Sequence, residues 1–328
     1  MEANFPRLGF IAILLLALVW ISTAYQSYHP LKMGYYKCTR KCVNAEAIVK
    51  KIVRQYVKRD PTLAASLLRM HFHDCFVMGC DASILLNSTK TSIAERDALP
   101  NLSLRGFEVI NAAKAALEAA CPKTVSCADI LSLAARDSVE TIYGPSWDVP
   151  TGRRDGIISN ASDVLLNLPP FFANFTTLKS IFAAKGLNVI DLVALSGGHT
   201  IGFSHCAAFD ARLYNFTGKG DADPSLDPAY AAHLRTKCKH GDLVTKVPLD
   251  DTLTGFDTNY YKFIMQNKGL LQSDAALLET RRSRFLVEQS TKPSIFRPQF
   301  ARSMTKMGRI EVLVEKQGQI RSRCEFVN

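Results

Sequence analysis

Between Leu67 and Leu86 the chain reads LLRMHFHDCFVMGCDASILL. An arginine, two histidines, two aspartates and two cysteines sit among residues apolar enough for a core helix, and any fold must house them all. Arg69 and His73 stand four apart, so a helix presents them on one face, with Phe72 beside them. His71 is two residues from His73 and points to nearly the opposite side. The two histidines are therefore not a natural chelating pair. One at most is free for chemistry, and the other belongs to the core or the surface. The same spacing describes an amphipathic helix with satisfied polar residues, and spacing alone favours that plainer reading.

The residues that follow shift the balance. Asp74, Asp81 and Ser83 offer hard oxygen ligands, and Gly79 permits a tight turn. With the backbone carbonyls of Val77 and Gly79 they resemble a calcium loop. Cys75 and Cys80 bracket the turn and could close it. Interleaved His and Cys also raise zinc, but the order His-Phe-His-Asp-Cys lacks the paired spacing of a structural zinc site. A base and a cation on one helical face, over an open metal position, are what chemistry on peroxide needs. The base moves a proton from one oxygen to the other as the O–O bond breaks, and the cation stabilises the charge that builds up.

The N-terminus reads as a targeting segment. Arg7 and the free amine give positive charge, offset in part by Glu2; an apolar run from Gly9 to Ile21 and then Ser22-Thr23-Ala24 follow. This is the pattern of a cleavable secretory signal, with the cut after Ala24 and 25–328 as one functional unit. An uncleaved membrane anchor is the rival, but the run is short for a bilayer. Nine cysteines then make sense as an oxidised framework. The Asn-x-Ser/Thr acceptors at Asn87, Asn101, Asn160, Asn174 and Asn215 fit the same route. The net charge of +10 is spread along the chain, which argues for a soluble basic surface rather than a nucleic-acid partner. An acidic polysaccharide matrix would attract such a surface equally well.

A hydrophobic share of 47% over 328 residues is ample for a large core. Helical periodicity predicts helices near 44–58, from Pro61 into Leu67–Met70, and near 104–119, 127–139, 174–185, 189–199, 258–267 and 294–308. Asn87–Thr91, Tyr143–Gly156 and Leu166–Pro170 read as loops. No Pro- or Ser-rich linker divides the chain, so the expectation is one all-α unit with two lobes.

At this point the chain resembles the plant secretory (class III) haem peroxidases, from about Tyr36 to Cys324. The motifs that carry the resemblance are RMHFHDCF at 69–76, GCDAS at 79–83, SCADILSLAARD at 126–137, VPTGRRDG at 149–156, DLVALSGGHTIG at 191–202 and GLLQSD at 269–274. The resemblance implies a two-lobed all-α fold with one haem b between distal and proximal helical domains, and two calcium ions. It implies that His73 is the distal acid–base residue, Arg69 its cationic partner, Phe72 the aromatic wall and Asn101 the residue that orients His73. Asp74, Val77, Gly79, Asp81 and Ser83 would hold the distal calcium, and Glu95 would link that shell to Asn101. His199 would be the axial iron ligand and Asp274 the carboxylate on its other ring nitrogen.

Thr200, Asp250, Thr252 and Asp257 match the proximal calcium ligands. The segment LDDTLTGFD is one residue short of the family pattern, which leaves Asp251 as a rival to Asp250. Pro169 matches the loop at the exposed haem edge, and that segment is shortened too. Asp129 and Arg153 match a buried ion pair. The implied disulfides are Cys42–Cys121, Cys75–Cys80, Cys127–Cys324 and Cys206–Cys238, with Cys38 left over as a competitor for Cys121. The implied activity is oxidation of small phenolic reductants by hydrogen peroxide in successive one-electron steps, by a monomer secreted to the apoplast or cell wall. A matrix-binding protein on the same frame is the second reading, and an unrelated helical zinc protein the third.

Overall fold

In the computed structural model, which describes residues 31–328, the chain is a stack of helices joined by loops. The segment read as a signal, with its cut after Ala24, lies outside the described residues. A one-turn helix, α1 (Tyr35–Cys38), precedes α2 (Ala45–Arg59). On α2 Ala45, Val49, Val53 and Val57 recur every four residues and form its buried stripe. The helix stops at Arg59 because Asp60 precedes a proline and takes an extended backbone. Pro61 lies in the turn before α3 (Leu63–Val77), not in its first helical turn as the sequence suggests.

Helix α3 is buried nearly all round, by Leu63, Leu67, Met70, Phe76 and Val77 among others. That explains how it can hold polar groups away from bulk water. After α4 (Phe107–Ala120) comes α5 (Cys127–Thr141), the main packing partner of α3. Ser126 caps α5 by accepting from Asp129 N at 3.1 Å. Helix α6 (Ala161–Asn167) overturns part of the loop expected at Leu166–Pro170, because Leu166 and Asn167 close it. Its start is capped by Asn160 Oδ1, which accepts from Ser162 N at 3.2 Å.

The second half contains α7 (Phe175–Ala184), α8 (Val189–Ser196), α9 (Asp210–Tyr214), α10 (Pro228–Lys237), α11 (Asn259–Met265), α12 (Gln272–Ala276), α13 (Arg281–Ser290) and α14 (Pro293–Met307). Between α8 and α9 lies β1 (Phe203–His205), which pairs antiparallel with β2 (Lys246–Pro248), Phe203 opposite Pro248. The sequence pattern does not announce α9, α10, α12 or α13. On α13 only Ser283, Val287 and Ser290 are buried, too sparse for a recognisable apolar stripe.

One continuous apolar core runs from Tyr36 to Cys324 and includes α2 to α5 on one side and α8, α11, α13 and α14 on the other. A smaller core gathers Phe209, Leu213, Leu234 and Leu271 around the Cys206–Cys238 bond. The two sides meet where a Cβ on Gly198 would stand 3.4 Å from the Leu68 side chain. The C-terminal segment returns to the first side. Leu313 and Gln319 bridge to Arg154 and Asp155, and Cys324 is bonded to Cys127. Cys42 is bonded to Cys121 and Cys75 to Cys80, while Cys38 is free and exposed.

Candidate active site

Helix α3 carries Arg69 and His73 on one face. Arg69 Nε donates to His73 Nε2 at 3.1 Å, so that ring nitrogen is an acceptor. His73 Nδ1 then carries the proton and donates to Asn101 Oδ1 at 2.5 Å. The orientation of Asn101 agrees, because its Nδ2 donates to the Glu95 carbonyl at 2.7 Å. Leu99–Asn101 form a short 3-10 turn, which buries the amide at 1% exposure. A folded molecule therefore leaves no room for a glycan at Asn101, whereas Asn87, Asn160, Asn174 and Asn215 are exposed.

Arg69 is anchored by partners that the sequence does not reveal. Its two outer nitrogens donate to Ser103 Oγ and the Pro100 carbonyl, each at 2.8 Å. The side chain touches solvent, but protein surrounds much of it, and that partial desolvation pushes its pKa down to about 10. The guanidinium stays charged at neutral pH. Burial, and then Arg69, hold His73 well below the ordinary imidazole range, while Asn101 pulls weakly the other way. Phe72 packs beside His73 with ring centroids 5.6 Å apart.

His71 is on the opposite side and buried, with its pKa pushed down to about 3 by burial and by Arg153. Ligand atoms of His71, Asp74 and Cys75 lie within 4.8 Å of one another. Cys75 is committed to Cys80, so the trio offers no thiolate for zinc.

Below α3 the loop draws Asp74, Asp81, Ser83 and Glu95 into the interior. Asp74 Oδ2 accepts from Ala82 N at 3.0 Å and Asp81 Oδ1 from Ser83 N at 2.9 Å. Asp74 Oδ1, Ser83 Oγ and both carboxylate oxygens of Glu95 are buried without a partner. Burial pushes Asp81 up to about 6 and Glu95 up to about 8; burial and the neighbouring Asp81 and Glu95 raise Asp74. Orphaned acidic oxygens at this density fit a divalent cation. Val77 closes α3, and the Gly79 carbonyl accepts from Asp81 N at 2.8 Å. Gly156 is kept bare by this site, since a Cβ there would fall 2.1 Å from Asp81 Oδ2. Glu95 reaches Asn101 through its main-chain carbonyl, not through its carboxylate as the resemblance implies.

On the other side, α8 ends at Ser196 and a 3-10 turn, Gly197–Thr200, carries His199. His199 Nδ1 is 2.8 Å from Asp274 Oδ1. Asp274 is buried, and its other oxygen accepts from Leu271 N at 2.9 Å. Burial alone would raise this acid, but His199 and the hydrogen bonds hold it below its ordinary value. The His199 side chain keeps 39% of its surface open, and its second nitrogen makes no hydrogen bond among the described residues. An imidazole with one nitrogen fixed by a carboxylate and the other free fits an axial iron ligand. Tyr260, which the sequence reading misses, donates to the same Asp274 oxygen at 2.8 Å.

Thr200 Oγ1 lies 3.0 Å from Asp250 Oδ2 and 3.2 Å from Asp257 Oδ1, and Thr252 donates to Asp250 Oδ1 through both N and Oγ1. Asp250 is buried in this cluster. Asp251 is exposed and accepts only from Asn259 Nδ2, at 3.2 Å. The missing residue in LDDTLTGFD thus leaves Asp250 facing Thr200. Pro169 is half-buried in the loop between α6 and α7. That loop is tied to α12, the helix of Asp274, by Ser273 N donating to the Phe171 carbonyl at 2.9 Å.

Asp129 and Arg153 pair at 2.8 Å with both side chains almost fully buried. Tyr36 Oη and Gly152 N also donate to Asp129, and Arg153 donates to the Pro150 and Gly308 carbonyls.

The peroxidase family profile matches residues 49–292, which span both histidines. The chain belongs to the peroxidase family. It is 52% identical over 322 residues to Peroxidase 1 of Arabidopsis thaliana, covering 96% of this chain and 97% of that one. It is also 53% identical to Peroxidase 27 over 301 residues and 51% identical to Peroxidase 56 over 301 residues, both of the same plant; the alignments cover 91% of this chain and 92% and 91% of those relatives. As a plant haem peroxidase it is an oxidoreductase that consumes hydrogen peroxide and oxidises a donor. The four disulfides fit an oxidising compartment. Among the described residues no helix is long and apolar enough to cross a membrane.

Proposed function

We propose that His73, Arg69 and Asn101 form the peroxide-handling side of the enzyme and that His199, with Asp274, holds the haem iron. The observation that carries this reading is the His73 tautomer. Asn101 Oδ1 accepts from the protonated Nδ1, which leaves Nε2 as a base on the face shared with Arg69. His73 Nε2 takes a proton from the near oxygen of peroxide and returns it to the far oxygen as water leaves. Arg69, fixed by Ser103 and Pro100, stabilises the charge that develops on the departing oxygen. Haem held by His199 would supply redox chemistry toward peroxide and single-electron chemistry toward the donor. Asp274 holds the His199 Nδ1 proton and makes the ring a stronger donor.

Asp74, Asp81 and Ser83, with the carbonyls of Val77 and Gly79, would hold one calcium, and Thr200, Asp250, Thr252 and Asp257 a second. The donors are small phenols that dock by the Pro169 loop, where the exposed Phe171 and Phe172 offer apolar contact. The protein acts outside the cell, in the apoplast or wall, once the segment up to Ala24 is removed. Its net charge of +10 favours acidic wall polysaccharide as surroundings.

The test is stopped-flow absorption of the haem-loaded enzyme with peroxide. His73→Leu should keep the resting haem spectrum but react with peroxide ~10²–10⁴-fold more slowly, the usual contribution of a positioned acid–base group. Near-normal peroxide kinetics in that variant would sink the assignment.

A further inference from the structure

A file of aromatic rings leads away from His199 and plays no part in the peroxide chemistry. Tyr260 stands edge-on to His199, ring centroids 5.8 Å apart, while its hydroxyl donates to Asp274 Oδ1. Tyr261 follows at 5.1 Å, Phe296 at 5.0 Å from Tyr261, Phe300 at 5.6 Å from Phe296 and Trp147 at 5.9 Å from Phe300. Phe256 bridges the middle, stacked flat on Phe296 at 5.5 Å and 4.9 Å from Phe300. Gly197 is bare because of this file. A Cβ there would fall 2.3 Å from Tyr261 Oη and 2.5 Å from a Phe296 ring carbon.

Aromatic clusters are ordinary core packing, but the two ends of this one are unusual. At the inner end a phenol shares the carboxylate of the candidate axial ligand. At the outer end Trp147, 6% exposed, borders a cavity of about 10 Å³ whose walls include His71, Ser132 and Asp148. Tyr260, Tyr261, Phe296 and Phe300 between them are dry. The chain's other tryptophan, Trp20, lies in the segment read as a signal, so the mature protein has a single indole.

We propose that this file makes Trp147 a protein-borne electron donor, which serves the peroxide-oxidised haem when no reductant occupies the cleft. It rests on the reading of His199 as the axial ligand. Tyr260 gives one electron to the oxidised centre, and its phenol proton shifts to Asp274 Oδ1 along the 2.8 Å hydrogen bond. Trp147 refills Tyr260 through Phe300, Phe296 and Tyr261, and the phenol proton returns. The indole Nε1 proton leaves to solvent by the Asp148 side. In sum Trp147 loses one electron and one proton, and one of the two oxidising equivalents supplied by peroxide is consumed. One oxidising equivalent that would otherwise stay on the haem is moved to Trp147, beside the small cavity that His71 also lines.

The experiment treats the haem-loaded enzyme with peroxide and a nitroso spin trap, without donor, and maps trapped peptides by mass spectrometry. Trapping at Trp147 is expected, and none when cyanide blocks the iron. Tyr260→Phe should lose the Trp147 adduct, counted per peroxide consumed. Trp147→Phe should lose it too while donor turnover stays unchanged. An undiminished Trp147 adduct in Tyr260→Phe overturns the relay. So does an unlabelled Trp147 in wild-type enzyme that consumes peroxide and oxidises donors normally, and in that case the axial assignment stands. A His199→Ala enzyme with wild-type haem spectrum and peroxide kinetics would overturn both readings.

Discussion

At the scale of single residues, the chemistry depends on where one proton resides. On the proposed reading His73 acts as a base only while Nε2 is bare, so its protonation would remove activity. Burial and the charge of Arg69 both disfavour the imidazolium, so its pKa lies well below the ordinary value. The sign follows directly: the rate with peroxide should stay level as pH falls from neutral through about 6.5, the ordinary histidine value, and drop only further down. Asn101→Asp puts a carboxylate in place of the amide that accepts from Nδ1. That stabilises the charged ring, so the drop should move to higher pH. The pH profile of the peroxide reaction in wild type and variant checks both statements; a variant profile unshifted or moved to lower pH would contradict them. Both histidines of the motif can be seen in the sequence, and their spacing already sets them on opposite sides; the fold supplies the partners of each. His73 looks onto Arg69 and Asn101, while His71 is enclosed beside Arg153.

At the scale of elements, α3 and the loop after it form a unit that calcium would hold together. Asp74 is on the last turn of the helix, one residue after His73. Without a cation, Asp74, Asp81 and Glu95 keep acidic oxygens buried against one another. Glu95, pushed up to about 8, takes a proton at neutral pH when the cation leaves. Chelation at pH 7 should therefore draw protons from solution at this site, and fewer at pH 9. Amide exchange in α3 should quicken and the melting temperature fall in parallel. The checks are titration calorimetry in two buffers and hydrogen exchange; complete removal of calcium with α3 protection intact would count against the site. The acids and Gly79 of this loop are evident from their spacing. The link from Glu95 to Asn101 is not, because it runs through a main-chain carbonyl and no residue type encodes it.

At the scale of the whole molecule, the C-terminal segment ties itself back to the side of the core that carries α3 and α5. Cys127 and Cys324 are 197 residues apart in sequence. Beside that bond Arg321 donates to the Ala82 and Cys324 carbonyls, each at 2.6 Å, and Asp155 accepts from Arg321 N at 2.9 Å. A bond that closes so long a loop restricts the unfolded chain strongly. Replacing both cysteines by alanine should cost about 2–5 kcal/mol. Denaturant titration measures it, and a midpoint equal to wild type would show that the strap holds without the bond. The Arg321 anchor also ties the Ala82 turn to the end of the chain, so weaker calcium binding should accompany the loss.

Features encoded by short-range pattern are legible in the chain. Four-residue apolar spacing marks α2, the turn residues mark the Asp74–Ser83 loop, and the motifs around His73 and His199 mark the family. Where local pattern is thin, as on α13 with three buried residues, the helix is a product of packing and could not be read. Tertiary structure alone decided which side chains meet. Asp250 rather than Asp251 turns to Thr200, because the backbone after β2 buries one and exposes its neighbour. Tyr260 meets Asp274 across fourteen positions, and Arg69 meets Ser103 across thirty-four. Such contacts join residues whose own neighbourhoods carry no sign of each other. For the buried Tyr260–Asp274 pair the reason is the cost of a buried donor or acceptor without a partner; the packed chain supplies it.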